Sequence, residues 1–387
     1  MTIFGAQNLK LSMTLAQQQY LELLRAGLWG TPADPSLFQG EVDWKAVLRI
    51  SHQQTTNVIV ADGIDTLPKE LYPAKSTIYK LAIKRSDNGM MHLLLNKTIN
   101  QVVQALNAEG IPSVLLKGQG VAQNYRNPQS RMCGDIDLYV GRENFLKAYD
   151  ILGTIEGIKM PETSECSSHI LAELEEAVIE LHHKTCVLYG RKTDTSWQEW
   201  TRAYLDSKMR TGQLPAYYNN GELIEIPDPT YNALYILMHA VRHLISEGIG
   251  FRHVSDWTMF LYRHHDKVDR EVLAQKLQEY RMEAVWKEFA VLVHNLLGLP
   301  KEYIPLYPAA HASRTDILAS HIFDSGNFGR SSNKKRSHDK SYVKRKWRNF
   351  CFQTSRLIKI FSLFPLMTIS HGWSWLNGAL LRFARKK

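Results

Sequence analysis

The sequence predicts an α+β fold, with a small mixed sheet carried inside a mostly helical chain. Two observations predict it. Apolar residues recur at helical spacing in residues 12–108 and again after Pro227, whereas 111–190 holds short apolar runs with strand character. The residues that punctuate elements, Gly110 and Pro112 among them, fall where the period changes. A chain of 387 residues with 44% apolar and 22% charged side chains can form two or three folded units with sizeable cores. That composition excludes global disorder and collagen-like or low-complexity structure.

The elements follow in order. Residues 12–60 read as two helices, one carrying Tyr20, Leu21, Leu23 and Leu24 and the next Trp44, Val47, Leu48 and Ile50. Thr31-Pro32-Ala33-Asp34-Pro35 separates them. A longer helix spans about Thr77 to Ala108, with Met91, Leu94, Leu95, Ile99, Val102, Val103 and Leu106 on one face. Ser113–Lys117 reads as a buried strand, Ile136–Val140 as a second and Ala177–His182 as a third, with a helix near Glu143–Leu152. After Pro227, Asp228 is a candidate N-cap and Pro229 suits the first helical position. Tyr231, Leu234, Tyr235, Met238, Val241, Leu244 and Ile245 form that helix's apolar face. Further helices are expected at about Val254–Arg263, Arg270–Tyr280 and Ala284–Leu297, and Ser325–Ser341 reads as a linker. The expected organisation is a helical region at 1–110, an α/β core at 111–190, a second helical region at 191–325 and a basic aromatic tail at 326–387.

Charge is divided unevenly. Residues 331–387 hold eight Lys, six Arg and one Asp, a net +13 against +9 for the whole chain, so 1–330 carry −4. A basic nucleic-acid groove spread over the body is therefore not expected. The tail is the part suited to an anionic partner, either a membrane surface or a phosphate backbone. The four cysteines Cys133, Cys166, Cys186 and Cys351 form no CxxC pair, which excludes a zinc knuckle or redox dithiol of that type. Their spacing suggests no disulfide framework, and Leu11–Gln19 is too polar for a signal-peptide core, so a reducing, cytoplasmic setting is expected.

The stretch from Leu115 to Val140 carries the chemistry. A strand ends in Lys117-Gly118, a turn and short helix follow, and Arg131 precedes Asp135-Ile136-Asp137 at the start of the next strand. Acids at i and i+2 of a strand share a face, so Asp135 and Asp137 can hold a metal ion between them. Carboxylates combined with substrate phosphates suit Mg²⁺. Gly118 lets the backbone approach a phosphate closely, and Lys117 and Arg131 are candidates to neutralise triphosphate charge. Glu180 lies between Ile179 and Leu181 in a third strand, where a carboxylate is costly unless it pairs or binds metal.

Lys117-Gly118, a helix, and then Arg131-x-x-x-Asp135-x-Asp137 resembles the poorly characterised nucleotidyltransferases of the polymerase-β-type superfamily. The resemblance covers about 111–185, and the helical region with His239, His243, Arg252 and Asp256 is similar to the family's C-terminal half. The turn here reads Gly118-Gln119 where that superfamily has Gly-Ser or Gly-Gly, and 15 residues separate Gln119 from Asp135. The resemblance implies that the mixed sheet is a nucleotidyltransferase core and that Asp135 and Asp137 hold two Mg²⁺ ions. Glu180 would complete the site and help to deprotonate an acceptor hydroxyl. Gly118 and Gln119 would touch the β- and γ-phosphates of an NTP. The implied reaction moves a nucleoside monophosphate to an acceptor hydroxyl of unknown identity and releases pyrophosphate. Two rival readings are a nucleotide-binding or regulatory protein without turnover, and an RNA-directed transferase that uses the tail as an RNA arm.

Other polar residues have plainer expectations. His182-His183 have two readings, assistance to the site or ordinary strand-end polars, and the second is the favoured one. His239 and His243 stand at i and i+4, a spacing that can bind zinc, but no Glu follows His239 and a structural or acceptor-pocket role is expected instead. Arg252 and Asp256 read as a helix-surface ion pair. In the tail, Ile360–Leu381 has 22 residues without Lys, Arg, Asp or Glu, yet it is too rich in Ser, Thr, Gly and Pro for a spanning helix. Phe361, Phe364, Trp373 and Trp375 suit the headgroup level, and the basic run from Lys334 to Arg348 would be drawn to anionic lipid. The expectation is a peripheral membrane foot, with a C-terminal helix packed on the body as its rival.

Overall fold

The computed structural model describes residues 13–161, 169–188, 190–309 and 314–327, together with parts of 354–373. The N-terminal region has three helices where the sequence suggests two, α1 (Leu15–Trp29), α2 (Trp44–Gln53) and α3 (Asn57–Ile64). Thr55 takes a φ of +56°, and this left-handed turn separates α2 from α3. α1 begins in a capping box, with Thr14 and Gln17 bonding to each other's backbone N–H. It lies almost backbone to backbone against α3, because Gly27 and Gly63 have no Cβ. A Cβ on Gly27 would sit 1.9 Å from Ile59 O, and one on Gly63 would sit 2.0 Å from Leu23 O. Gly63→Ala must push the two helices apart, and a loss of about 3 kcal/mol is expected, at the upper end for overpacking. Urea unfolding followed by circular dichroism measures it, and a loss below about 1 kcal/mol would contradict this packing.

α4 (Lys75–Ala108) is a single 34-residue helix. Its second half buries Leu95, Ile99, Val102, Val103 and Leu106 against the sheet. The sheet contains β1 (Val114–Leu115), β2 (Asp135–Tyr139), β3 (Ile158–Lys159), β4 (His169–Leu174) and β5 (Ala177–His182). Their order is β1-β2-β5-β4-β3. β2 and β5 run parallel, and every other pair is antiparallel, so the sheet is mixed as expected. α5 (Gln119–Ala122) follows β1, and α6 (Gly141–Leu152) opens the crossover that a parallel pair requires. β5 matches its expected residues end to end, because its alternation puts Ala177, Ile179 and Leu181 in the core.

α7 (Arg191–Trp200) continues through a π-helical stretch at Thr201–Asp206 into α8 (Ser207–Arg210). A hairpin of β6 (Ala216–Asn219) and β7 (Glu222–Glu225) then returns to the sheet and adds Ile224 to its core. The second helical region comprises α9 (Pro229–Ser246), α10 (Phe251–His264), α11 (Arg270–Glu279), α12 (Glu283–Leu297) and α13 (Thr315–Ser325). Asp228 caps α9 by accepting from Thr230 N–H, and Pro229 opens the helix, as the sequence suggests. These helices and α1–α3 share one large core that includes Trp257, Trp286 and Phe289. Ile360, Leu363 and Phe364 of the tail are buried in that same core, whereas Ile358, Phe361, Ile369 and Trp373 are exposed. Trp375, Lys334–Arg348 and most of the Ser325–Ser341 linker lie outside the described residues. Among the described residues, no helix is long and apolar enough to cross a membrane.

Candidate active site

Strand register assembles the acidic site. β2 and β5 pair with Asp137 opposite Glu180 and Asp135 opposite Val178. Alternation places Asp135, Asp137 and Glu180 on one face, and their nearest carboxylate oxygens lie within 4.8 Å of one another. Asp137 is fully buried at the centre of the set. Its Oδ1 accepts from Lys117 Nζ at 2.7 Å and from His182 Nε2 at 3.1 Å. Its Oδ2 is buried and has no hydrogen-bond partner among the described residues. Three convergent carboxylates with one unused buried oxygen fit a divalent cation, and this triad could hold one.

The electrostatics agree with that fit. Burial works against ionisation of Asp137, but Lys117 and His182 more than offset it and hold the carboxyl well below its usual range. The neighbouring Asp137 charge, followed by burial, pushes the Asp135 carboxyl up. A bound cation would relieve that repulsion. Lys117 is half-buried, which disfavours its charge, yet Asp137 and Asp135 hold its pKa above the ordinary value.

Lys117 reaches the acids because β1 ends beside β2 and the chain then turns sharply. Gly118 adopts φ +56° and ψ −120°, and a Cβ there would lie 3.0 Å from Asp135 O. Only glycine fits this turn without strain. Lys117 Nζ also lies 3.3 Å from His239 Nε2, which accepts from it. Burial and the Lys117 charge keep the His239 imidazole neutral, and His243 is pushed down to about 3 by burial and the nearby Lys117 and Arg242. Lys117, Gly118, Arg131, Asp135, Asp137 and Glu180 all line one cavity of about 400 Å³. Lys184, Arg242 and Arg252 make its wall basic, and its described lining contains histidines but no Trp, Tyr or Phe.

An acid triad thus stands on adjacent strands of a small mixed sheet, in a cavity with a basic wall. A family model described as an uncharacterised nucleotidyltransferase matches residues 40–298. The chain belongs to this family. The matched segment contains every residue lining the cavity. Comparisons with curated proteins and with solved structures find no match.

In this nucleotidyltransferase three expectations from the sequence need correction. The Gln119 side chain does not line the cavity, because it is held against α4 by His92 Nδ1 at 3.1 Å and Asn96 Oδ1 at 2.7 Å. His92 Nε2 faces Arg131 O at 2.7 Å and must carry the ring proton, so Nδ1 accepts from Gln119. Secondly, Asp256 is not half of a surface pair with Arg252. It is buried, and Arg131 grips it with Nε to Oδ1 at 2.7 Å and Nη2 to Oδ2 at 2.8 Å. Tyr125 OH adds a bond to Oδ1 at 2.7 Å. The Arg131 guanidinium is thus engaged by Asp256, and Arg252 donates to Met132 O at 3.2 Å.

Thirdly, of the two readings of His182 the less favoured one fits the structure. It lies between the acids, 3.1 Å from Asp137 Oδ1 and 3.3 Å from Glu180 Oε2. Its neighbour His183 packs edge-on against Phe145, with ring centroids 4.8 Å apart. His169, Lys184, Arg242 and His253 line the same cavity without any local sequence pattern that marks them. A His182 two residues after Glu180 on the same strand face was the one available signal.

Proposed function

We propose that this chain transfers a nucleoside monophosphate from a Mg²⁺-bound NTP to an acceptor hydroxyl and releases pyrophosphate. The observation that carries this reading is the convergence of Asp135, Asp137 and Glu180 within 4.8 Å, in a nucleotidyltransferase family member. Asp135, Asp137 and Glu180 are the residues that would hold two Mg²⁺ ions. When bound, the metal supplies charge neutralisation at the α-phosphate and at the leaving pyrophosphate. The remaining roles belong to the chain. Lys184, Arg242 and Arg252 form the wall against which the triphosphate charge is placed, and the Gly118 turn brings backbone close to it. Lys117 keeps Asp137 ionised and oriented. Glu180 takes the acceptor's hydroxyl proton, the acceptor oxygen bonds to the α-phosphorus, and the bond from that phosphorus to the β-phosphate bridging oxygen breaks.

The unit at 111–190 carries the transfer chemistry, and α9 and α10 of the 191–325 region supply the opposite wall. The direct test is incubation of purified protein with labelled NTPs, Mg²⁺ and lysate, followed by mass spectrometry of modified products. Nucleotide binding without any nucleotidylated product or pyrophosphate would leave the binding-protein reading instead. Glu180→Gln is expected to lower turnover at least about 100-fold, the scale of a lost general base. Its NTP affinity should stay within about threefold, since phosphate contacts hold the nucleotide. Calorimetry beside the turnover assay decides it, and an unchanged rate with lost affinity would contradict this role.

The tail is proposed as a peripheral foot on anionic membrane. Ile358, Phe361, Ile369 and Trp373 are exposed beside the buried anchors Ile360, Leu363 and Phe364. Each basic residue near an anionic surface contributes about 1 kcal/mol. The full-length chain is expected to float with phosphatidylserine vesicles at low salt and to lose this at high salt. Absence from the floated fraction at low salt would end the proposal.

A further inference from the structure

A second donor set stands beside the three carboxylates. His169 opens β4 and His182 closes β5, and the antiparallel register pairs the two residues directly. Glu180 lies two residues before His182 and so shares its face. One ligand atom from each of His169, Glu180 and His182 lies within 4.8 Å of the other two. The His169 and His182 rings are 5.0 Å apart at their centroids, and all three residues line the cavity.

We propose that His169, Glu180 and His182 form a transition-metal site that shares Glu180 with the acidic triad. Two imidazoles and one carboxylate suit Zn²⁺, Co²⁺ or Mn²⁺, whereas all-oxygen sets suit Mg²⁺. The spacing agrees with a shared ion. Ligands about 2.1 Å from a tetrahedral ion stand about 3.4 Å apart, and His182 Nε2 to Glu180 Oε2 is 3.3 Å. The antiparallel ladder fixes the two strands that present the histidines, so little backbone ordering remains for binding to pay. The assignment goes beyond the transfer reading and touches it at Glu180, whose two oxygens allow it to serve both sets, and at His182, whose Nε2 gives up its proton and its bond to Asp137 when it ligates.

The experiment uses the full-length chain stripped of metal with a chelator, titrated with Co²⁺ alone and without nucleotide. Visible absorption reports imidazole ligation, and calorimetry reports affinity. The wild type is expected to give a histidine-type Co²⁺ spectrum. His169→Ala and His169→Gln are expected to lose it and to weaken Co²⁺ binding at least about tenfold, since even an indirect partner of a metal ligand costs that much. Asp135→Asn, which lies outside the set, should retain the spectrum. The glutamine variant preserves side-chain bulk, so a folding defect in the alanine variant does not decide the result. A His169→Gln titration identical to wild type, or a spectrum lost in Asp135→Asn but kept in His169→Gln, would overturn the site. A histidine-dependent spectrum in a protein with no NTP turnover would sink the transfer reading alone.

Discussion

Asp135→Asn and Asp137→Asn are each expected to lower metal-dependent NTP turnover at least about 1000-fold, or about 4 kcal/mol of barrier. The two variants should differ in stability. Asp135 is pushed up chiefly by the Asp137 charge, so removing its charge relieves repulsion and the metal-free protein should melt at or above wild type. Asp137 is the buried charge partner of the half-buried Lys117 at 2.7 Å, so Asp137→Asn should melt lower even though the amide oxygen still accepts. Equal losses of turnover with opposite shifts in melting temperature identify two carboxylates of one site held in different surroundings. Turnover within about threefold of wild type for either variant would remove that carboxylate from the catalytic set.

Arg131→Ala is expected to cost about 3–5 kcal/mol of stability, the scale for breaking a buried ion pair from one side. The change leaves Asp256 buried with only Tyr125 as a hydrogen-bond donor among the bonds described. It also removes the clamp that ties the segment before β2 to α10, 125 residues further along the chain. The double variant Arg131→Met with Asp256→Leu should recover part of the loss, because no charge is then stranded. Urea unfolding of the single and double variants measures both. If Arg131→Ala weakened NTP binding while leaving stability within about 1 kcal/mol, the residue would belong to the phosphate wall and not to the fold.

Much of the fold is legible locally because period and punctuation are local properties. α4, α9 and the other long helices declare themselves through apolar faces, and α9 through its Asp228 cap and Pro229. β5 is legible as a short apolar run with Glu180 set between Ile179 and Leu181. The short strands β3, β6 and β7 carry too few residues for a period to register. β4 alternates in burial along six residues, and its exposed Leu171 blurs that alternation in the sequence. The helix pair in 12–60 proved to be three because a single left-handed residue, Thr55, breaks the run without a glycine or proline to announce it.

The candidate site divides along the same line. The sequence by itself determined that Asp135 and Asp137 share a strand face, that Glu180 sits between core residues of another strand, and that Gly118 turns the chain after β1. Alternation and the absent Cβ of glycine are properties of the residues and their neighbours. Only the tertiary structure decided that β2 and β5 lie parallel with Asp137 opposite Glu180. It also decided that Gln119 turns to α4, that Arg131 closes on Asp256, and that His169 and His182 come to stand beside the acids. Each of these is a pairing between distant segments. Such pairings are chosen by which buried charges and donors can be satisfied together once the cores have packed, and no local period records that choice.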